Sequence, residues 1–181
     1  MPKPCHGSFP ILLSCSSTSL ASLYTLSPLT IAQIPEAVAL DQLCLGGMWS
    51  ADGYDREVQS PNSDLLVITA SPDPGILALG CLWAILDEAH ITLLLVHPEH
   101  RRQGLATQLL SALLQSARQR GLSWATLEVG ATNAAALALY HKFGFQTIGT
   151  RKGYYQKTGE DALILWRKGL QAQDFEPIPT L

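Results

Sequence analysis

The chain is short of several features that would fix its chemistry at once. Its four cysteines, Cys5, Cys15, Cys44 and Cys81, form no Cys-x-x-Cys pair and have no histidine at zinc-finger spacing, so neither a structural metal site nor a disulfide framework is expected. Free thiols fit a reducing cytoplasm. No stretch approaches the ~20 uninterrupted apolar residues of a membrane span. Charge is also scarce: 12 Lys and Arg against 15 Asp and Glu give a formal net charge of −3. That lacks the broad basic excess by which proteins hold nucleic acid. The Lys-Ser/Thr pair of a nucleotide P-loop is missing, as is the Gly-x-Gly-x-x-Gly fingerprint of dinucleotide-binding folds.

What is present amounts to one domain with a well-buried core, because 181 residues are too few for two comfortable ones. Residues 1–22 are expected to be a disordered or weakly ordered extension. Their apolar run, Phe9 to Leu13, is five residues long, shorter than the core of an export signal. The domain is expected over 23–168 and a loose, proline-containing tail over 169–181.

Within the domain, "LYTLSPL" reads as a short strand and "TIAQIPEAVALDQLC" as a helix entered through Thr30, with Pro35 near its first turn. The segment "MWSADGYDREV" is ambiguous. Three β-rich runs follow, Asp64 to Ala70, Ile76 to Leu86 and Asp87 to His97, separated by turn residues. Gln103 to Arg120 is an amphipathic helix: Ala106, Leu109, Leu110, Leu113, Leu114 and Ala117 form its apolar face, and Thr107, Gln108, Ser111, Gln115 and Arg118 the opposite one. "SWATLEVG" is a strand, "NAAALALYHKF" a helix opened by Asn133 and closed by Gly144, and "FQTIGTR" and "DALILWRKG" are two last strands. "KTG" (Lys157 to Gly159) reads as the turn between them, and Trp49, Trp83 and Trp124 as core. This order defines an α/β (α+β) domain with a mixed, largely antiparallel sheet and helices on both faces.

The chemistry concentrates in one bend. "VHPEHRRQGLA" sets two arginines and a glycine directly before the long helix, and a helix that starts after a glycine in a basic loop presents unpaired N–H groups and a positive dipole end to an anion. Gly104 lets the main chain approach the anion, and the small Ala106 keeps the first turn clear. The two histidines of "HPEH" lack further ligands, so no metal is expected there.

The strand and bend "LLLVHPEHRRQGLA" resemble the pyrophosphate loop of the GNAT family of N-acetyltransferases, whose pattern R/QxxGxG/A is met by Arg101, Gly104 and Ala106. "NAAALALYHKFGF" likewise resembles the family's NxxAxxLYxxxGF segment. From Leu23 to Arg167 the closest likeness is to the RimI-like ribosomal-protein-alanine N-acetyltransferases, with "WSADGY", "LDEA", "RRQGLA", "LEVGATNAAALALYHKFGF" and "RKGYY" matching in order. The resemblance implies acetyl-CoA as cosubstrate and direct transfer to the N-terminal alanine α-amine of a small-subunit ribosomal protein. It also implies no metal, no direct nucleic-acid or membrane contact, a cytoplasmic location, and a monomer or weak dimer.

The same likeness makes Glu128 the base and Tyr140 the acid. Leu94, Leu95 and Val96 would offer backbone groups to the pantetheine arm. Arg101, Arg102, Gln103, Gly104, Leu105, Ala106 and Thr107 would hold the pyrophosphate, and Asn133 would contact the cofactor. The peptide would enter between "WSADGY" and "RKGYY". One departure stands out: relatives commonly read LEVRxSN, so Gly130 replaces an arginine.

The residues suit the chemistry, since acyl transfer from a thioester to an amine needs a neutral amine and a proton for the departing thiolate. An α-amine near pKa ~8 is already partly neutral at pH 7, so a modest carboxylate acting through water suffices. Glu128 lies in an apolar strand between Leu127 and Val129, and Tyr140 shares a helix face with Ala136 and Phe143. The alternatives are an outward-facing Glu128 and a Tyr140 that is only core. At the level of function, they are another amine acceptor, such as a lysine or a small molecule, or a noncatalytic acyl-CoA-binding protein.

Overall fold

The computed structural model describes residues 24–71, 75–156 and 158–171. The expected N-terminal extension, most of the expected C-terminal tail and Lys157 of the KTG turn lie outside the described residues.

Strand β1 (Tyr24–Pro28) leads through a 3-10 turn into helix α1 (Ile34–Leu45). Pro35 sits in the first turn of α1, where its missing N–H would have had no helical partner. The ambiguous segment is a second helix, α2 (Ala51–Gln59), capped by the Ser50 hydroxyl, which accepts from the Gly53 amide at 3.2 Å. It escapes a periodicity reading because it is short and polar, and Tyr54 is its one buried residue.

Three antiparallel strands follow: β2 (Ser63–Ala70), β3 (Ile76–Ile85) and β4 (Glu88–Val96). Helix α3 (Leu105–Gln119) then returns the chain to β5 (Trp124–Gly130), and α4 (Ala134–Lys142) leads to the hairpin of β6 (Gln146–Tyr155) and β7 (Glu160–Lys168). Two expectations for α3 need correction. It begins at Leu105 rather than Gln103, because the preceding residues are spent in the bend. Ser111, expected on the polar face, is 8% exposed, whereas Ala106 is only half-buried.

The sheet order is β1-β2-β3-β4-β5-β7-β6, antiparallel throughout except for the β4–β5 pair. Helices α1 and α2 cover one face, packing Ile34, Ala37, Leu40 and Tyr54 on Leu65, Val67, Leu79, Cys81, Leu93 and Leu95. Helices α3 and α4 cover the other, where Leu110, Leu113, Leu114, Tyr140 and Phe143 pack on Ala125, Leu127, Val129 and Leu165. The mixed, largely antiparallel sheet with helices on both faces is therefore the observed architecture. The tryptophans are less buried than expected. Trp49 and Trp83 stack at 6.0 Å while both stay half-buried, and Lys168 lies over the Trp124 ring at 5.2 Å.

The feature that positions the site is a break between β4 and β5. Their parallel pairing runs only from Glu88 opposite Trp124 to Ile91 opposite Leu127. At that point Thr92 bulges out of register with β3, since Ile91 partners Leu82 and Leu93 partners Cys81. β4 continues to Val96 and β5 to Gly130 without pairing each other, so the sheet opens into a wedge.

Candidate active site

The wedge is lined on one side by the free edge of β4. His97 donates its amide to the Leu77 carbonyl at 2.8 Å, which makes Leu77 and His97 a hydrogen-bonded pair. By the alternation of an antiparallel ladder, Leu95 then also bonds to β3, while the backbone groups of Leu94 and Val96 point into the wedge. The Val96 carbonyl already accepts from Arg101 Nε at 3.4 Å and from Cys44 Sγ at 3.5 Å. Of the three expected pantetheine contacts, Leu94 keeps its groups on the open edge, Val96 shares them, and Leu95 spends its own on the sheet.

Beyond the end of β4 the chain makes the basic bend. Arg102 adopts φ +64°, a left-handed conformation that an arginine rarely takes, and Gly104 follows at φ +82°. These two turns aim the start of α3 at the mouth of the wedge. Gly104 is the N-cap and supplies no side chain, and its carbonyl accepts from the Gln108 amide at 3.0 Å. The amides of Leu105, Ala106 and Thr107 precede that first intrahelical bond and are left for a ligand. Arg101 turns back to Val96, and Gln103 accepts from the Tyr24 hydroxyl at 2.8 Å, so these two side chains brace the bend. His97 Nδ1 accepts from the Glu99 amide at 3.4 Å. Among the described residues, no group of three or more His, Cys, Asp or Glu side chains is placed to hold a metal ion.

Glu128 stands on β5 one residue past the last pairing with β4, at the point where the wedge opens. Leu127 and Val129 face the α3–α4 core, so Glu128 projects from the opposite face. Its surroundings are polar rather than apolar: Oε1 pairs with Arg151 Nη2 at 2.8 Å, and Oε2 accepts from the Tyr154 hydroxyl at 2.8 Å. By accepting this hydrogen bond the Glu128 carboxylate favours the protonated phenol, and together with burial it pushes Tyr154 above its ordinary range.

Tyr140 is 7% exposed and packs edge-on against Phe145 at 5.8 Å. Burial pushes its phenol above the usual range. Its hydroxyl makes no hydrogen bond to a described residue, and the one enclosed unpartnered side-chain atom among them is Nδ1 of His100, so the Tyr140 hydroxyl reaches accessible space. Asn133 caps α4, accepting from the Ala136 amide at 3.1 Å.

Gly130 also finds its explanation here. A Cβ at this position would lie 2.7 Å from Glu160 Oε1, which accepts from the Thr132 amide at 2.9 Å and the Thr132 hydroxyl at 2.6 Å. The space that a side chain at 130 would use is thus taken by a carboxylate that ties β7 to the β5–α4 turn. The roles of Glu160, Arg151 and Tyr154 escape the sequence reading, since all three depend on pairing across strands. The signal that could have raised the latter two is a glycine, Gly153, within a run otherwise suited to a strand.

A split sheet with uncapped amides at one end of the split and a carboxylate at its apex is the framework of a transferase that works on a diphosphate-bearing acyl donor. The Acetyltransferase (GNAT) family model matches residues 34–145, more than half of the chain, and the chain belongs to that family. It is 32% identical over 143 residues to the ribosomal protein bS18-alanine N-acetyltransferase of Escherichia coli (strain K12), an alignment covering 78% of this chain and 95% of that one. It is 34% identical over 149 residues to N-alpha-acetyltransferase RimI of Mycobacterium tuberculosis, covering 79% and 91% respectively. The crystal structure of the Escherichia coli ribosomal-protein-S18-alanine N-acetyltransferase superposes with a TM-score of 0.74 at 30% identity, covering 86% of this chain and all of that one.

Proposed function

We propose that this chain transfers the acetyl group of acetyl-CoA directly to the N-terminal alanine α-amine of a small-subunit ribosomal protein, in the cytoplasm. The observation that carries the reading is the wedge between β4 and β5, with the α3 amides at its mouth and Glu128 at its apex. The relatives' action on ribosomal protein bS18 supports the choice of acceptor.

The residues present fit acetyl-CoA. Leu105, Ala106 and Thr107 offer amides to its diphosphate at the positive end of α3, beside the exposed Arg102. The open edge of β4 at Leu94 and Val96 suits the amides of the pantetheine arm, and the Asn133 NH2 group remains for a further contact. When bound, the thioester supplies the activated acetyl group. Glu128 accepts the amine proton, directly or through water, and Tyr140 supplies the proton that the departing thiolate takes up. A buried phenol with a raised pKa stays protonated until that demand arises. Neither cysteine among the described residues takes part: Cys81 is enclosed, with its thiol pushed up to about 12 by burial, and Cys44 donates to Val96.

A Glu128→Gln variant should bind acetyl-CoA normally and lose turnover by about 10²-fold or more. Full turnover at neutral pH would overturn the assignment. Acceptor choice is read from turnover on peptides beginning with Ala, Ser, Gly or Met, with lysine side chains and spermidine alongside. Preference for the alanyl α-amine is expected, and equal use of a lysine or polyamine would overturn it.

A further inference from the structure

The segment Arg151 to Tyr155 contains an irregularity that the reaction as described leaves unused. Arg151 pairs with Ala162 of β7 and Tyr155 with Glu160, so three residues of β6, Lys152 to Tyr154, lie opposite the single residue Asp161. In a regular strand Arg151 and Tyr154, three apart, would point to opposite faces of the sheet. Here both reach the same carboxylate, one on each oxygen of Glu128. The bulge makes this possible, and its own fastenings are visible. Gly153 takes φ +58°, a conformation that disfavours a side chain. Asp161 accepts from the Gly153 amide at 2.8 Å and from Lys152 Nζ at 2.8 Å.

We propose that this bulge is a positioning clamp for the base: Arg151 and Tyr154, brought to one face by Gly153 and Asp161, fix the plane of the Glu128 carboxylate toward the wedge. The inference rests on Glu128 acting as the base. Two anchors orient the group without consuming it, because a carboxylate has about four lone-pair sites and one on each oxygen stays open. The clamp serves orientation more than stability. The Arg151 side chain is 55% exposed, and ion pairs this open contribute little to folding. Arg151 also lies 5.6 Å from the Tyr154 ring centroid, so the two anchors support each other.

The test is a double-mutant cycle with acetyl-CoA and an alanyl peptide, reading kcat, KM for acetyl-CoA and thermal midpoint. Arg151→Gln should lower kcat about tenfold and Tyr154→Phe about threefold, with KM for acetyl-CoA and the midpoint unchanged. Arg151→Lys should recover part of the loss. In a Glu128→Gln background, neither substitution should cost anything further. Unchanged kcat in both single variants, or the same fractional loss in the Glu128→Gln background, would overturn the clamp while leaving the base in place. Full turnover by Glu128→Gln alone is a different result, which removes the base and the clamp together.

Discussion

At the scale of single residues, a buried carboxylate fastens the segment beside which the peptide is proposed to enter. Asp41 is fully buried and accepts from the Met48 amide at 3.0 Å, the Trp49 amide at 2.8 Å and the Tyr54 hydroxyl at 3.3 Å. These bonds tie the end of α1 to the segment leading into α2, which puts the exposed Met48 and the half-buried Trp49 in place. Removing the acceptor strands three donors, two of them main-chain. Asp41→Ala should therefore cost about 3 kcal/mol in urea unfolding, and Asp41→Asn, which keeps one acceptor oxygen, clearly less. A loss under about 0.5 kcal/mol would place it among ordinary surface substitutions and refute this account. Tyr54 makes a pH prediction. Burial first, and the Asp41 charge second, push its phenol above the ordinary value, and Tyr140 is raised by burial too. A raised folded pKa means that the unfolded chain gives up these protons first. The stabilisation is complete below the unfolded pKa of about 10 and falls as pH rises beyond it. Urea midpoints should hold between pH 8 and 9 and decline steadily above about 10; a flat profile would show that the phenols are not buried in the native state.

At the scale of elements, the parts that periodicity and local spacing encode were legible in the sequence. The strand, basic bend and helix around Gly104 form a contiguous stretch, so this arrangement could be read from order alone. The cap at Asn133 and the face carrying Tyr140 are likewise local. Helix α2 could not be read, because its nine residues bury only Tyr54 and its fastening is an aspartate ten residues upstream of its start. The surroundings of Glu128 were hidden for the same reason. They come from β6, which is separated from β5 by β7 and reaches Glu128 only through a bulge. The proposed anion site can be tested by comparing the two ends of α3. Gly104 and Gly121 both have positive φ, +82° and +79°, and a Cβ would meet nothing within 4 Å at either. Alanine should cause similar backbone strain at both, about 1–2 kcal/mol. Only Gly104→Ala disturbs amides that face a ligand, so titration calorimetry should show acetyl-CoA binding weakened about tenfold for Gly104→Ala and unchanged for Gly121→Ala. Equal affinities in the two variants would remove the bend from the binding site.

At the scale of the whole molecule, the two halves of the sheet share little main-chain bonding. Four residue pairs join β4 to β5, the Ser123 amide donates to the Asp87 carbonyl at the start of the pairing, and an apolar layer under α3 and α4 spans both halves. A ligand seated in the wedge, held by the β4 edge and the α3 amides on one side and bounded by β5 on the other, adds a bridge where the sheet has none. Binding only the folded state, it should stabilise the protein by RT ln(1 + [L]/Kd), about 2.7 kcal/mol at a hundredfold excess over Kd. For a domain of this length that corresponds to a rise of roughly 5–10 °C in thermal midpoint. Hydrogen exchange should slow chiefly at Leu94, Val96 and Leu105 to Thr107, whose amides face the ligand, and far less in β1 and β2 at the sheet's outer edge. Protection confined to the outer strands, or no thermal shift at saturating acetyl-CoA, would place the donor elsewhere on the molecule and leave the wedge without its assigned function.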